Sequence, residues 1–266
     1  MSIHNHPVFN ITLPRATTIP IIASIPHSGL YVPPAIAKQF MPEHLAWLRN
    51  TDWFIPDVFS FLPDLGITTI TATHSRYVVD LNRDANGELY GPFGRAPIAQ
   101  TLISGQQTHI INPREDELAE RIRLYHEPFH QALEKLLAES VARFGSCLFI
   151  DLHAFMGPSE NDICLGNLHG VSSRKTTIEQ LQNILNGEGF VTSVNVPFGG
   201  VYILRRHHST QVEAIQFELR YTNYMDCTHI DEPGRPELDK GKLTALQPRL
   251  IQAFNQLIQS RMNTKV

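Results

Sequence analysis

Two histidines stand where buried strands of this sequence run out. His27 follows the apolar run IPIIASI (19–25), and His153 closes SCLFIDLH (146–153). Neutral imidazole is a common zinc ligand, and a catalytic zinc takes three protein ligands and leaves a position for water. One histidine at a strand end reads as a core or capping side chain. Two at matching ends point to a shared cation, which needs a third donor. NTDWFIPDVFSFLPD (50–64) offers Asp52, Asp57 and Asp64. Asp52 opens a helix-like segment, where the helix dipole also favours a carboxylate. Asp57 lies one to two turns further on. Asp52 is the first choice for the acidic ligand, with Asp57 as the alternative.

Asp151 stands two residues before His153, and alternate strand residues share a face. It either orients a metal-bound imidazole from behind or is an ordinary hydrogen-bonded acid at a strand end. SRYVVDLNRD (75–84) sets Arg76, Asp80, Asn82 and Arg83 close together in an apolar, strand-like stretch. An arginine fork matches a carboxylate with two bonds at once. Taken alone, the passage reads as a surface strand edge laced with Arg–Asp pairs. EAIQFELRYTNYMD (213–226) puts Glu218 inside another apolar strand. A buried glutamate is costly unless paired or protonated. Glu218 is therefore a structural ion-pair member or a general base of raised pKa.

The elements that must position these residues are legible in outline. IPIIASI, GITTITAT (66–73), SCLFIDL (146–152) and EAIQFEL (213–219) read as strands, and their lack of strict alternation fits a sheet covered on both faces. A long helix is expected from Asn112, with Asn112 as N-cap, Pro113 at the first helical position and Glu115 completing a capping box. Leu118, Ile122, Tyr125, Phe129, Leu133 and Leu136 form its buried stripe, and Pro128 should kink or split it. A second amphipathic helix is expected around 244–261. Helices alternating with buried strands imply a layered α/β domain, taken as one unit over residues 1–266. Ligands of such sheets collect beyond the carboxyl ends of the strands, where both histidines fall.

Composition narrows the function classes. Of 266 residues, 42% are hydrophobic and the formal net charge is −4, so no basic face for nucleic acid is expected. No apolar stretch approaches the roughly 20 residues of a membrane span, and MSIHNHPVFNITLP does not read as a secretory signal. Three unevenly spaced cysteines fit a reduced, cytoplasmic compartment, with Cys147 a small core residue. Neither a Gly-x-Ser-x-Gly elbow nor a P-loop or dinucleotide fingerprint occurs.

In this order, PHSG (26–29), TDWFIPDVF (51–59), SRYVVDLNRD (75–84), IDLHAF (150–155), PFGGVYILRRHH (197–208) and QFELRYTNYMD (216–226) resemble the N-formylglutamate amidohydrolase family. The resemblance implies a three-layer α/β/α sandwich with a mixed central sheet, similar to zinc carboxypeptidases. It also implies Zn2+ or another divalent metal, and hydrolysis of N-formyl-L-glutamate to glutamate and formate in histidine degradation. By motif position His27, Asp52 and His153 would be the metal ligands, Glu218 the general base, and Asn82 with Arg83 the grip on a substrate carboxylate. Arg76, or one of Arg205 and Arg206, would aid the oxyanion, and Arg205, Arg206 or Arg220 would take the second carboxylate. A related amidohydrolase or peptidase acting on another acyl-amino acid or small peptide is the alternative, as is a non-catalytic binder of an acidic metabolite.

Overall fold

The apolar runs of the sequence become the spine of one mixed sheet. In the computed structural model, which describes residues 6–157, 159–228, 230 and 234–263, the strands are β1 (Phe9–Thr12), β2 (Ile21–Ile25), β3 (Thr68–Ala72), β4 (Tyr90–Gly91), β5 (Ile98–Ala99), β6 (Cys147–Phe155), β7 (Ile163–Gly166), β8 (Thr192–Val194) and β9 (Val212–Arg220). The helices are α1 (Pro34–Ala37), α2 (Pro42–Trp47), α3 (Ile55–Val58), α4 (Glu115–Arg121), α5 (Glu127–Phe144), α6 (Lys175–Gly187), α7 (Tyr202–His207) and α8 (Lys240–Asn263). Seven strands pair in the order β1-β3-β2-β6-β9-β7-β8. The inner four run parallel, while β1 on β3 and β7 on β9 are antiparallel. The first five residues of the N-terminal stretch lie outside the described residues.

Strand periodicity divides the core in two. Leu148, Ile150, Leu152, Ile215, Phe217 and Leu219 face α6 and α8, where they meet Leu181, Leu185, Leu250, Phe254 and Leu257. Cys147, Phe149, Val212 and Ala214 face the other way, onto Phe129, Leu133 and Leu137 of α5 and Ile203 and Leu204 of α7. The layers are thus helix, sheet, helix, and both sheet faces are dry. Toward the carboxyl ends the second face changes chemistry. The positions that follow Cys147 and Phe149 at period two are Asp151 and His153, and those that follow Val212 and Ala214 are Gln216 and Glu218. The parallel register sets His153 opposite Glu218 and Asp151 opposite Gln216.

Two expectations are corrected and one is met. The long helix starts at Glu115, with Arg114 rather than Asn112 as N-cap, and the Arg114 N–H donates to Glu117 at 2.8 Å. Pro128 does split the helix, through a π-helical turn over Ile122–His126 that precedes α5. The passage 75–84 is no surface strand edge but a buried irregular segment after β3. Its Val79 and Leu81 enter the α5 side of the core, which draws Arg76, Asp80 and Asn82 under cover as well. Among the described residues, no helix is long and apolar enough to cross a membrane.

The loop that leaves β2 needs a glycine. A Cβ on Gly29 would stand 2.2 Å from the His74 carbonyl oxygen, a backbone atom that does not yield. Gly29→Ala is expected to destabilise the fold by about 1–3 kcal/mol. Thermal unfolding would register this as a Tm loss of roughly 2–4 °C per kcal/mol.

Candidate active site and metal centre

His27 sits two residues past the end of β2, and His153 lies within β6, which continues to Phe155 rather than ending at the histidine. Asp52 reaches the same point from an irregular loop. It is not a helix-start residue, because α3 begins only at Ile55. Backbone bonds clamp the two loops together: the Asp52 N–H donates to the His27 carbonyl at 3.1 Å, and Ser28 Oγ donates to the Asp52 carbonyl at 2.6 Å. As a result one donor atom from each of His27, Asp52 and His153 lies within 4.8 Å of the others, and all three side chains are buried. Asp57, the alternative, is exposed in α3, because the turn buries Ile55 and Val58.

Each imidazole is braced from behind. Asp52 Oδ2 lies 3.0 Å from His153 Nδ1 and 3.6 Å from His27 Nδ1. The opposite ring nitrogens meet other carboxylates, His27 Nε2 with Asp80 and His153 Nε2 with Asp151, both at 2.7 Å. Asp151 also accepts from Ser24 Oγ, across the β2–β6 pairing. Asp80 is the residue that sequence reasoning left without a site role. Its second oxygen takes Arg76 Nη2 at 2.7 Å, and its first also takes the Asn82 N–H at 2.9 Å. Only its two-residue distance from Asn82 could have marked it.

The electrostatics separate the acids. Burial alone would raise Asp52 and Asp80, yet both are held well below the ordinary carboxylate range, Asp52 by His153 and His27 and Asp80 by Arg76 and His27. Among the described residues, Glu218 has no such neighbour at hydrogen-bond range; neutral Gln216 is its partner there, and the Nε2–H of Gln216 donates to Oε1 at 2.7 Å. Burial therefore lifts Glu218 to about 7. Burial disfavours a charged His153, but Asp151, Asp52 and Glu218 outweigh it and raise the imidazole well above its usual value. Surroundings that favour a proton there favour a metal cation as well. Two imidazoles and a carboxylate, each imidazole oriented by a further acid, fit a divalent cation.

A crevice of about 600 Å³ opens over this group, lined by His27, Asp52, His153, Glu218, Arg76, Asn82 and Arg83. Arg205, Arg206 and Arg220 are not among its walls. α7 buries Ile203, Leu204 and His207, which turns Arg205 and Arg206 to solvent, and Arg206 Nη1 donates to the Tyr202 hydroxyl at 2.7 Å. Arg220 pairs with exposed Glu160 at 2.7 Å. The crevice instead contains Arg49 and Trp47, which fall between PHSG (26–29) and the passage that starts at Asn50, outside both.

Asn82 and Arg83 are fixed by their backbone. His130 Nε2 and His126 Nε2 donate to the carbonyls of Leu81 and Arg83, at 2.9 and 3.0 Å. A carbonyl only accepts, so both rings carry hydrogen on Nε2, and His130 Nδ1 accepts from His207 Nε2–H at 2.9 Å. Asn82 Oδ1 accepts from the Ile203 N–H at 2.9 Å. Helices α5 and α7 thereby hold the tripeptide from one side, while Asp80 holds it from the other.

Comparison with known proteins identifies relatives of this chain. A family model described as N-formylglutamate amidohydrolase matches residues 19–225. N-formylglutamate deformylase of Pseudomonas aeruginosa is 30% identical over 221 residues, covering 78% of this chain and 83% of that protein. The Pseudomonas putida deformylase is 29% identical, covering 79% and 83%. In fold, the chain is similar to the crystal structure of N-formylglutamate amidohydrolase from Ralstonia eutropha JMP134, with a TM-score of 0.81 at 21% identity over 96% of this chain and 98% of that one.

Six buried imidazoles, those of His44, His74, His109, His126, His130 and His207, are held below the ordinary value of 6.5 chiefly by burial, His44 and His207 to about 4. The unfolded chain binds more protons than the folded one between these limits, so stability rises with pH there. His153 and Glu218, both raised, titrate in the opposite sense but are outnumbered. Tm is expected to fall as pH is lowered from about 6.5 to about 4, measured by calorimetry in buffers of equal ionic strength.

Proposed function

The chain belongs to the N-formylglutamate amidohydrolase family, and we propose that it hydrolyses the amide C–N bond of N-formyl-L-glutamate with a divalent metal, zinc first, held by His27, Asp52 and His153. The observation that carries this reading is the buried triad set one strand away from Glu218, an acid left without a charge partner in hydrogen-bond contact. When bound, the cation supplies Lewis acidity, polarising the formyl carbonyl and making water nucleophilic near neutral pH.

The remaining steps belong to the chain's own residues. Glu218 takes a proton from the attacking water and later delivers it to the departing nitrogen, so that the C–N bond breaks to give formate and glutamate. Its pKa of about 7, set by burial, matches that double task at neutral pH. Gln216 holds one carboxylate oxygen and leaves the other to the water. Arg76, fixed by Asp80 and by the Asn50 carbonyl, places positive charge beside the carbonyl oxygen as it becomes negative. Asn82 and Arg83 bind a substrate carboxylate from the crevice wall. On this reading the enzyme works at the end of a histidine-degradation route, in the cytoplasm.

Glu218→Gln is expected to lower kcat/KM for formate release by about 10²–10⁴-fold while elemental analysis finds wild-type metal content; normal turnover would end its assignment as base. Asp80→Asn should weaken divalent metal binding by about 10–100-fold in a chelator competition. An unchanged affinity there removes Asp80 from the support of His27.

A further inference from the structure

The segment that carries Asn82 and Arg83 is irregular, so no strand partner satisfies its carbonyls, and carbonyls under cover still need donors. Two imidazoles of the long helix supply them. His130 Nε2–H reaches the Leu81 carbonyl and His126 Nε2–H the Arg83 carbonyl, at 2.9 and 3.0 Å. The Leu81 carbonyl belongs to the peptide that enters Asn82, and the Arg83 carbonyl to the peptide that leaves Arg83. Because each peptide is planar, the two bonds fix the chain on both sides of the pair.

The rings that make these bonds are themselves held. His207 Nε2–H donates to His130 Nδ1 at 2.9 Å, and the two rings stack with centroids 5.2 Å apart. The His126 and His130 centroids are 4.4 Å apart, and Tyr202 packs against both at 5.6 and 5.5 Å. All three imidazoles are buried. Burial keeps their pKa below the ordinary value, so each is neutral at pH 7 and keeps one tautomer. Leu133 and Leu137, further along α5, join the apolar core, so imidazole is not what packs this helix on the sheet. Placement comes from the turn just before. There the Glu127 N–H bonds to the Ile122 carbonyl, five residues back. One extra residue in a turn shifts every later side chain by about 100° around the helix, and such π turns gather at functional sites. That shift sets the face on which His126 and His130 stand.

We propose that His126 and His130 are positioning residues for substrate binding: through the Arg83 and Leu81 carbonyls they hold Asn82 and Arg83 in binding geometry before the substrate arrives. The proposal rests on the reading above, in which that pair binds a substrate carboxylate. Neither imidazole is among the walls of the crevice, so the influence of both on the substrate passes through the backbone of the 81–83 segment. A grip fixed beforehand has less ordering to undergo when the ligand binds.

The test is made on the metal-loaded enzyme. His126→Phe and His130→Phe remove the donors, and each should raise KM for N-formyl-L-glutamate by about 3–10-fold, the size of one net hydrogen bond. The loss should fall on KM rather than on kcat. His126→Gln and His130→Gln, whose amide N–H can reach the same carbonyls, should restore most of it. In an Arg83→Ala background His126→Phe should have no further effect on KM, because the group it positions is gone; such non-additivity marks residues that act through one another. A full effect in that background overturns the proposal. An unchanged KM in both phenylalanine variants, a loss confined to kcat, or a loss of metal by elemental analysis does the same. If a phenylalanine variant fails to fold, the asparagine variant takes its place, since its shorter amide stops short of the carbonyl. A higher KM with asparagine than with glutamine then supports the proposal, and equal values reject it. If wild-type protein does not cleave N-formyl-L-glutamate, the deformylase reading falls. Calorimetric binding of glutarate, which needs no turnover, then judges the two histidines alone. Weaker binding in both phenylalanine variants than in wild type supports their role, and equal binding, or none by wild type, rejects it.

Discussion

Four carboxylates, Asp52, Asp80, Asp151 and Glu218, lie at 8% exposure or less within one hollow, and their mutual accommodation governs the rest of the structure. Buried charge is tolerated only where it is paired or hydrogen-bonded. Asp80 is shared between His27 and Arg76, Asp151 between Ser24 and His153, and Asp52 between the two imidazoles with Arg76 at 3.8 Å. Glu218 is the exception, with one neutral amide as its partner. Unequal satisfaction is what separates their proton affinities, so Asp52 stays ionised while Glu218 is poised to exchange a proton near neutrality. The same inequality assigns different work to chemically similar groups.

The bonds that solve the charge problem also hold the loops. Asp80 restrains His27, Arg76 and the start of the 82–83 segment at once. Arg76 in turn fastens Asn50, and Tyr221, beyond β9, fastens Thr51. Loop residues at the carboxyl ends of β2, β3 and β9 are therefore cross-braced rather than independent. Loss of one brace should be felt at several positions, as expected for a buried polar network. The sheet beneath supplies the fixed reference, since β6 and β9 pair over nine consecutive residues.

Some of this arrangement was legible before any fold was known. The strands announced themselves as β-branched runs, and the polar residues that interrupt them, His153 and Glu218, stood out because an apolar strand has no reason to carry them. Arg76, Asp80 and Asn82 read as a surface edge when taken alone, because close Arg–Asp spacing looks the same exposed or buried; the family resemblance is what points Arg76 and Asn82 toward the site. Arg205, Arg206 and Arg220 drew attention as cations near a motif. Helix geometry turned the first two outward, since a short helix that buries Ile203, Leu204 and His207 must expose what lies between. Arg49 carried no sequence signal, because its placement depends on two left-handed residues that leucine and asparagine do not advertise.

What the sequence by itself determined is the set of groups and the period on which they ride. Alternation in β6 and β9 obliges Asp151 and His153, and likewise Gln216 and Glu218, to share a face, and the family motifs fix their order along the chain. Which strand lies beside which, and in what register, was decided only by the tertiary structure. Period-two patterning says nothing about the neighbour of a strand, whereas in the folded chain helices pack on both faces of the mixed sheet and the strands stand in one order. That pairing brings His153 next to Glu218, and the loops it supports close His27 and Asp52 onto the same point.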